Sequence, residues 1–414
     1  MKNISLKKLY QFVFFLSVAV PFLNIYELTF GVWFFAVLIS FVDKYSITII
    51  QYLSCFIAIL LIAFVSSFFS DEGNYNFFRD IAYLLKPIIG MLLGYQLMKK
   101  FPNSFFSTVV ISGVLIALGH LLIVFITFLR FQTISVNLLR EYCGYFSDYE
   151  VYALIILIFY KKFDIVISRQ KLYVFVFLLA FSTFLYLSRT NFIQFIVLYV
   201  AMKGYFKLNK RAIIVMVITG LLVGGGYAAV YNSNPSRGGK GLEAFLYKIK
   251  IAPIEAFKTK VDKDDWKDFN DNYRSYENII TVKQVSSGGI TDVLFGRGLG
   301  ATINLGREIR TNDDTIVQYI PILHNGFATV FLKSGLIGVF FLLLFLYLLS
   351  RNKKSEIPLV QNINMLLVGT SIFLIISNWV FMGLYLKMDS KSILIGLFIC
   401  YREIIIKQNI IKKI

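Results

Sequence analysis

Runs of apolar residues long enough to cross a membrane recur along most of this 414-residue chain, with short charged breaks between them. A helix needs about 20 mainly apolar residues to cross roughly 30 Å of hydrocarbon, and in lipid its backbone must satisfy its own hydrogen bonds. Hydrophobic residues make up 57% of the sequence, which leaves little room for a soluble core. The sequence therefore predicts an all-α polytopic integral membrane protein.

We predict about twelve membrane-spanning helices, nine in an N-terminal membrane region (1–231) and three in a C-terminal membrane region (324–414). The first run lacks a small-residue cleavage site and further spans follow at once, so we expect an uncleaved helix rather than a signal peptide. The predicted spans are 9–26, 28–42, 47–69, 80–98, 105–129, 146–160, 172–187, 190–203, 211–231, 324–350, 359–386 and 389–404.

One large loop, residues 232–323, separates the two membrane regions. It opens with the turn-rich stretch "NSNPSRGGKG", continues through a polar, helix-compatible part and closes with "GRGLGATINLGREIRTNDDTIVQYIP". A loop of this length is uncommon and usually functional. A solvated linker is the alternative, although Trp266, Tyr273, Tyr276 and Tyr319 indicate that the loop packs onto something.

The positive charges orient the chain, because lysine and arginine accumulate in short cytoplasmic loops. With the N-terminus inside, most basic residues fall in predicted cytoplasmic segments, and both termini are cytoplasmic while the large loop is outside. The net charge of +18 is therefore mainly an orientation signal and does not indicate nucleic-acid binding. The short outer loops hold only Arg79, Arg130, Arg140, Arg189, Lys387 and Lys391.

Basic residues at membrane depth are the first candidates for chemistry. Arg189 lies at the tip of two short predicted helices, so it should face a protein-lined cavity and have an anionic partner, either a ligand or a structural carboxylate. Arg79 and Lys86 lie on one face of the fourth span. This basic stripe suits a phosphate-bearing lipid, and an ion pair of Lys86 with Asp80 or another acid is the alternative.

His324, in "PILHNGFATVFLKSGLIGVF", opens the predicted helix 324–350. Gly335 and Gly338 lie near its face of that helix, so we expect the imidazole above a buried seam between helices, near backbone N–H groups that favour an anion. A capping or interface histidine is the alternative. We expect Lys333, on the opposite face, to extend towards the headgroups. His120, in mid-span, is predicted to be a hydrogen-bonded core residue.

Two arginines of the large loop, Arg274 and Arg297, are further candidates, although most exposed loop arginines are simply solvated. The "GRGLG" around Arg297 follows no βαβ pattern, so its glycines are expected to allow a tight return towards the membrane rather than to bind a nucleotide. The cysteines show no C-x-x-C spacing, and neither a disulfide framework nor a metal site is predicted.

Together these pieces resemble the O-antigen polymerase and O-antigen ligase superfamily. The resemblance rests on two motifs. The first is "ILHNGFATVFLKSGLIGVF" after "FGRGLG" at the end of a large outer loop, and the second is "LSRTNF", which is similar to the Ser-Arg motif of those proteins. The resemblance implies a GT-C-like, inverting, metal-independent glycosyltransferase without a cofactor. It would use an undecaprenyl-diphosphate-linked glycan at the periplasmic face of the bacterial inner membrane.

The resemblance also implies roles for single residues. Arg189 matches the Ser-Arg position, Arg274 the arginine upstream of Gly-x-Gly, and His324 the histidine before the Gly-x-x-Gly helix, while Arg297 and Arg307 are rivals of Arg274. His324 would act as a base or as a diphosphate ligand. The predicted catalytic residues are thus His324, Arg189 and Arg274, and the predicted diphosphate ligands are Arg189, Lys86, Arg79 and Arg297.

Three functions are compatible with these residues. The first is a repeat-unit polymerase that uses lipid-linked oligosaccharides as donor and acceptor, with membrane lipids and a chain-length regulator protein as further partners. The second is a ligase that moves the finished chain to lipid A-core. The third is a lipid-linked glycan flippase or transporter, which would bind the diphosphate without breaking it.

Overall fold

The computed structural model describes residues 2–69, 73–102, 105–132, 139, 142–143, 148–206, 210–239, 242–310, 316–351 and 355–413. Within those ranges the regular secondary structure is helical apart from one β-hairpin. The helices are α1 (Lys2–Ala19), α2 (Tyr26–Ile39), α3 (Ile47–Ser66), α4 (Asn74–Lys100), α5 (Phe105–Phe131), α6 (Asp148–Ile158), α7 (Arg169–Leu185), α8 (Arg189–Met202), α9 (Lys210–Asn232), α10 (Leu242–Phe257), α11 (Trp266–Asp271), α12 (Tyr273–Ser287), α13 (Ile290–Phe295), α14 (Gly326–Ser350), α15 (Pro358–Val380) and α16 (Lys391–Lys413), and the strands are β1 (Ile303–Arg310) and β2 (Ile316–Ile320).

Each predicted span overlaps one of these helices, α1 to α9 and α14 to α16. Among the helices described, six are long and apolar enough to cross a membrane, so the protein is a helical polytopic membrane protein, and the full number of twelve crossings stays a prediction. The apolar helices α2 and α8 have 14 residues each, which at 1.5 Å per residue covers only about 21 Å. The six long apolar segments are Leu6–Leu23, Ile47–Phe69, Tyr75–Lys100, Phe105–Phe131, Gly326–Ser350 and Pro358–Val380.

Helices α4 and α16 pack against each other with their backbones in close contact. A Cβ atom added at Gly94 would lie 1.9 Å from the carbonyl oxygen of Ile393, and one added at Gly396 would lie 1.9 Å from that of Met91. The two backbones therefore touch, and the small glycine residues permit this close approach. In lipid the hydrophobic effect does not drive helices together, so close packing of this kind stabilises the pair. Around this pair, α3, α14, α15, α6 and α5 complete one continuous apolar core.

The segment between α9 and α14 (residues 233–325, here called the inserted segment) has an apolar core of its own. Phe269, Tyr276, Ile303 and Leu305 are buried there, and the same cluster includes Leu332 of α14. The inserted segment is thus a folded unit that packs on the membrane helices, and it is not a solvated linker.

The prediction of an all-α chain is wrong for the hairpin of β1 and β2. The strands pair antiparallel, with Ile303 opposite Ile320 and Arg310 opposite Ile316, and the register shifts between Asn304 and Ile309. Side chains alternate in burial along the start of β1, with Ile303 and Leu305 inside, as the two-residue period of a strand requires. The sequence contains features typical of these strands, namely the alternation in "INLGREIR" and the β-branched residues in "TIVQYI".

A break in α14 joins the inserted segment to the membrane helices. Gly335 has φ 62° and ψ −163°, so the helical hydrogen-bond ladder is interrupted there. The carbonyls of Leu332 and Lys333 instead accept the backbone N–H groups of Arg297, at 2.8 Å, and Gly298, at 3.1 Å. The "GRGLG" glycines therefore do make a tight return, but they make it into a helix that the sequence pattern had predicted to be continuous.

The same junction buries an ion pair. Lys333 is 1% exposed, and its ammonium lies 2.5 Å from Oδ2 of Asp80 on α4. Asp80 also accepts the backbone N–H of Gly300 at 2.8 Å. The expectation that Lys333 extends towards the headgroups is wrong, because Asp80 and the carbonyl of Ala301 provide partners inside the protein.

We predict that Gly335→Ala strongly destabilises the protein. An added Cβ would lie 2.4 Å from the carbonyl carbon of Leu294, and the φ and ψ of Gly335, which essentially only glycine adopts, cost a side chain about 1–3 kcal/mol. Thermal unfolding of the purified protein in detergent should therefore show a lower midpoint. Gly31→Ala on α2 is the matched control, since nothing lies within 4 Å of its added Cβ. Equal midpoints for the two variants would contradict the described junction.

Candidate functional site

Two arginines from distant parts of the chain share one carboxylate. Nη2 of Arg189, at the start of α8, lies 3.6 Å from Oε2 of Glu255, and Nη1 of Arg274, on α12, lies 3.5 Å from Oε1 of the same residue. Arg189 also donates to the carbonyl of Lys248 at 2.6 Å. Arg189 thus faces a protein-lined cavity and has an anionic partner, as its predicted position required.

Local hydrogen bonding holds this cluster in place. Glu255 lies near the end of α10, and its carbonyl accepts the hydroxyl of Ser275 at 2.6 Å, which fixes α10 beside α12. On α12, residues 274 and 278 point in similar directions because four residues turn through about 400°. Asn278 accordingly lines the same cavity as Arg274.

The arginines stand at the boundary between two adjoining cavities. Arg189, Glu255 and Arg274 line both of them. One cavity, of about 110 Å³, is otherwise mainly apolar and lies against the end of α15. The other, of about 580 Å³, is polar and belongs to the inserted segment. The apolar cavity includes Ile193, Trp379, Val380 and Phe381, and the polar cavity includes Arg237, Tyr247, Lys248 and Asp271.

The charges of the polar cavity favour an anion. Its described lining has four basic side chains, Arg189, Arg237, Lys248 and Arg274, and two acidic ones, Glu255 and Asp271. Asp271 is engaged by Arg237 at 3.0 Å, and Glu255 lies between the two arginines of the cluster. Guanidinium groups in this arrangement suit the oxygens of a phosphate or carboxylate.

An unsatisfied polar atom also marks this place. Oδ1 of Asn278 is buried without a hydrogen-bond partner among the described residues, and Asn278 lines the apolar cavity beside Arg274. A buried acceptor of this kind is available to a hydrogen-bond donor. The site therefore offers positive charge and one hydrogen-bond acceptor to a ligand.

His324 lies beside this site and pairs with a buried carboxylate. Nδ1 lies 3.0 Å from Oε1 of Glu277, and the backbone N–H of His324 donates to Oε2 at 3.1 Å. The imidazole is 51% exposed and Glu277 is 1% exposed. The expectation of a histidine above a buried seam is wrong, because Asn325 caps α14 and His324 therefore precedes the helix and faces α12.

Glu277 orients the imidazole of His324 and determines its tautomer. With Nδ1 donating to the carboxylate, Nε2 carries the lone pair and is the basic atom. Tyr273 packs edge-on to the imidazole, with ring centroids 5.8 Å apart. Burial, together with the charge and hydrogen bonding of Glu277, raises the pKa of Tyr273, so its hydroxyl stays protonated. The histidine, carboxylate and phenol therefore form one oriented group.

The oriented histidine is connected to the arginine site through α12 and α15. Arg274 and Glu277 lie one turn apart on α12, so about 60° of helix rotation separates their directions. The N–H of Gly326 donates to the carbonyl of Phe381 at 3.2 Å, and Phe381 lines the apolar cavity. His324 thus lies next to the cavity wall without lining either cavity.

The structure places the other predicted diphosphate ligands elsewhere. Lys86 is buried and donates to the carbonyls of Leu386 and Lys387. Arg79 lies 3.9 Å from Asp80 in the junction with α14. Arg297 lines a third cavity beside α3. None of the three lines the cavities of Arg189 and Arg274.

Glu255 and Glu277, the two carboxylates on which the site depends, are not predicted from the sequence. Both lie in the polar middle of the inserted segment, where acidic residues are common and no spacing distinguishes them. Only the position of Glu277 gave an indication of its role. It follows the candidate Arg274 by three residues, and residues three apart are neighbours on a helix surface. His120, in contrast, is the predicted core residue: it is buried and bonds Ser182 at 2.8 Å.

No protein-family model matches the chain, and no curated protein matches it. Among the residues that the structure describes, no group of three His, Cys, Asp or Glu side chains could hold a metal ion.

We predict that Glu255→Gln tightens the binding of inorganic pyrophosphate. The carboxylate that competes for both arginines is removed, and a partly exposed ion pair of this kind contributes up to about 1 kcal/mol, roughly fivefold in affinity. Isothermal titration calorimetry on the purified protein measures this, and Arg189→Gln should weaken binding. Glu308→Gln, an exposed acid on β1, is the matched control. Equal affinities for wild type, Glu255→Gln and Arg189→Gln would refute the anion site.

Proposed function

We propose that the protein is a polymerase of surface-polysaccharide repeat units, of the O-antigen polymerase type. It transfers a glycan chain from undecaprenyl diphosphate onto a second lipid-linked repeat unit at the periplasmic face of a bacterial inner membrane. The proposal includes about twelve spans in a GT-C-like arrangement, cytoplasmic termini and a periplasmic inserted segment.

The observation that carries this proposal is the position of Arg189 and Arg274 between an apolar and a polar cavity. A lipid-linked sugar diphosphate has the same order of parts: an apolar chain, two phosphates and a polar glycan. The diphosphate would replace Glu255 as the partner of the two guanidinium groups, with the lipid towards Phe381 and the glycan towards the inserted segment. Arginines in a water-poor site stabilise the charge that develops on a departing diphosphate.

His324 is the proposed general base. Its Nε2 takes the proton of an acceptor hydroxyl while the hydroxyl oxygen attacks the anomeric carbon, and the bond from that carbon to the diphosphate oxygen breaks. The new glycosidic bond has inverted configuration, and the electron pair leaves with undecaprenyl diphosphate. The hydrogen bond to buried Glu277 favours this role over direct diphosphate binding, since a carboxylate orients the ring and stabilises the imidazolium that forms.

We predict that Arg189→Ala and His324→Ala each abolish long-chain polysaccharide while the protein still inserts in the membrane. Lys283→Ala, an exposed residue on α12, is the control and should preserve the chains. Electrophoresis of surface glycans from a deletion strain that carries each variant measures this. Near-normal chain banding in both active-site variants would refute the site assignment.

The deletion strain also separates the polymerase from the two other functions. Loss of a polymerase leaves lipid A-core capped by a single repeat unit. Loss of a ligase leaves bare core and long lipid-linked chains, and that result would replace the polymerase with the ligase. Purified polymerase or ligase must release undecaprenyl diphosphate from lipid-linked units, whereas a flippase or transporter releases none.

We further predict that Glu277→Gln lowers kcat by on the order of 100-fold, within the range of general-base contributions, with little change in KM. The variant keeps the size of the side chain but loses the negative charge that stabilises the imidazolium. Initial rates of undecaprenyl diphosphate release measure both constants. Tyr273→Phe should show a smaller loss, because it removes one hydrogen bond to Glu277 and leaves the carboxylate. A rise in KM alone would show that Glu277 supports binding instead.

A further inference from the structure

A third cavity, of about 660 Å³, lies between the end of α3 and the short helix α13. Its volume is in the range of roughly 300–1,000 Å³ that is typical of small-molecule sites. We call it the Arg297 groove, after the residue at its polar end. Its lining includes Leu61, Val65, Phe69, Asp292, Phe295 and Arg297.

One side of the Arg297 groove belongs to a membrane-crossing segment. Leu61 and Val65 lie in the apolar segment Ile47–Phe69 and are 56% and 55% exposed. Such side chains in a membrane helix are covered by lipid or by protein. Because this segment is long and apolar enough to cross a membrane, we expect lipid to reach this side of the groove.

The other side presents an arginine on a fixed backbone. The N–H of Arg297 bonds the carbonyl of Leu332, and a Cβ added at the next residue, Gly298, would lie 2.4 Å from the backbone nitrogen of Ser67. The hydroxyl of Ser66 donates to the carbonyl of Phe295 at 2.8 Å, which holds α13 against α3. Arg297 therefore cannot leave the groove without disrupting the junction with α14.

The side chain of Arg297 remains available to an anion. It is 33% exposed, and among the described residues it pairs with Asp292, 4.0 Å away and 29% exposed. An exposed ion pair at this distance contributes little, and a phosphate can replace the carboxylate. Arginine also matches the oxygens of a phosphate better than lysine does.

We propose that the Arg297 groove binds a lipid phosphate, with its chain along Leu61 and Val65 and its phosphate at Arg297. The groove combines an apolar wall at membrane depth with one arginine at its polar end. It is separate from the cavities of Arg189 and Arg274, and the two sites share no lining residue. The proposal does not depend on whether the protein is a polymerase.

Photolabelling tests this site. The purified full-length protein in micelles of an uncharged alkyl maltoside detergent is exposed to a long-chain alkyl phosphate that carries a diazirine in its chain, or to the matching uncharged alcohol. Labelled peptides are identified by mass spectrometry. We expect the phosphate probe to label residues 61–69 and 291–295, and Arg297→Gln to reduce that labelling roughly tenfold, because a charge-assisted hydrogen bond is lost.

Two controls distinguish a lipid-phosphate site from ordinary lipid contact and from a free-anion site. Arg310→Gln, an exposed arginine on β1, should leave the labelling unchanged, and inorganic phosphate at equal concentration should compete poorly. Equal labelling by phosphate and alcohol, unaffected by Arg297→Gln, would overturn the proposal in favour of ordinary lipid contact. Strong competition by inorganic phosphate would overturn the lipid assignment and indicate a free-anion site. Absence of label from both segments would also refute the groove.

Discussion

The architecture depends on how the protein satisfies two carbonyls at a broken membrane helix. Within a membrane, no water can bond a backbone carbonyl that has lost its helical hydrogen bond. The carbonyls freed by the break in α14 therefore need donors from elsewhere in the protein. The N–H groups of Arg297 and Gly298 provide them, and the ion pair of Asp80 and Lys333 adds charge compensation at the same place. The inserted segment is therefore attached to the membrane helices by backbone hydrogen bonds and a buried ion pair.

This attachment makes a composite site possible. Arg189 comes from a membrane helix, whereas Arg274 and Glu255 come from the inserted segment, and the distances between them have meaning only if the two parts are fixed together. Glu255 offsets the repulsion between the two guanidinium groups. A ligand with two negative phosphates would offer each arginine a stronger partner than one shared carboxylate.

The sequence predicted the helices of the membrane regions well, since long apolar runs leave a backbone in lipid few alternatives. Arg189 was predictable for a related reason: a charge at the tip of two short helices needs a partner. Glu255 and Glu277 were not predictable, because their roles come from contacts across long stretches of chain. The predicted position of Lys333 at the headgroups was wrong. The pattern of one helix shows which face a residue occupies, but it does not show that Asp80 of another helix packs against that face. The hairpin was missed within a segment whose polarity suggested helices and turns.

The proposed function requires that Arg189 and Arg274 together hold a diphosphate. A cryo-electron microscopy structure of the protein in nanodiscs with a lipid diphosphate tests this requirement. We expect diphosphate density in contact with both guanidinium groups, and a carboxylate of Glu255 that has moved away from at least one of them. Bound diphosphate at another place, with Glu255 still between the two arginines, would contradict it.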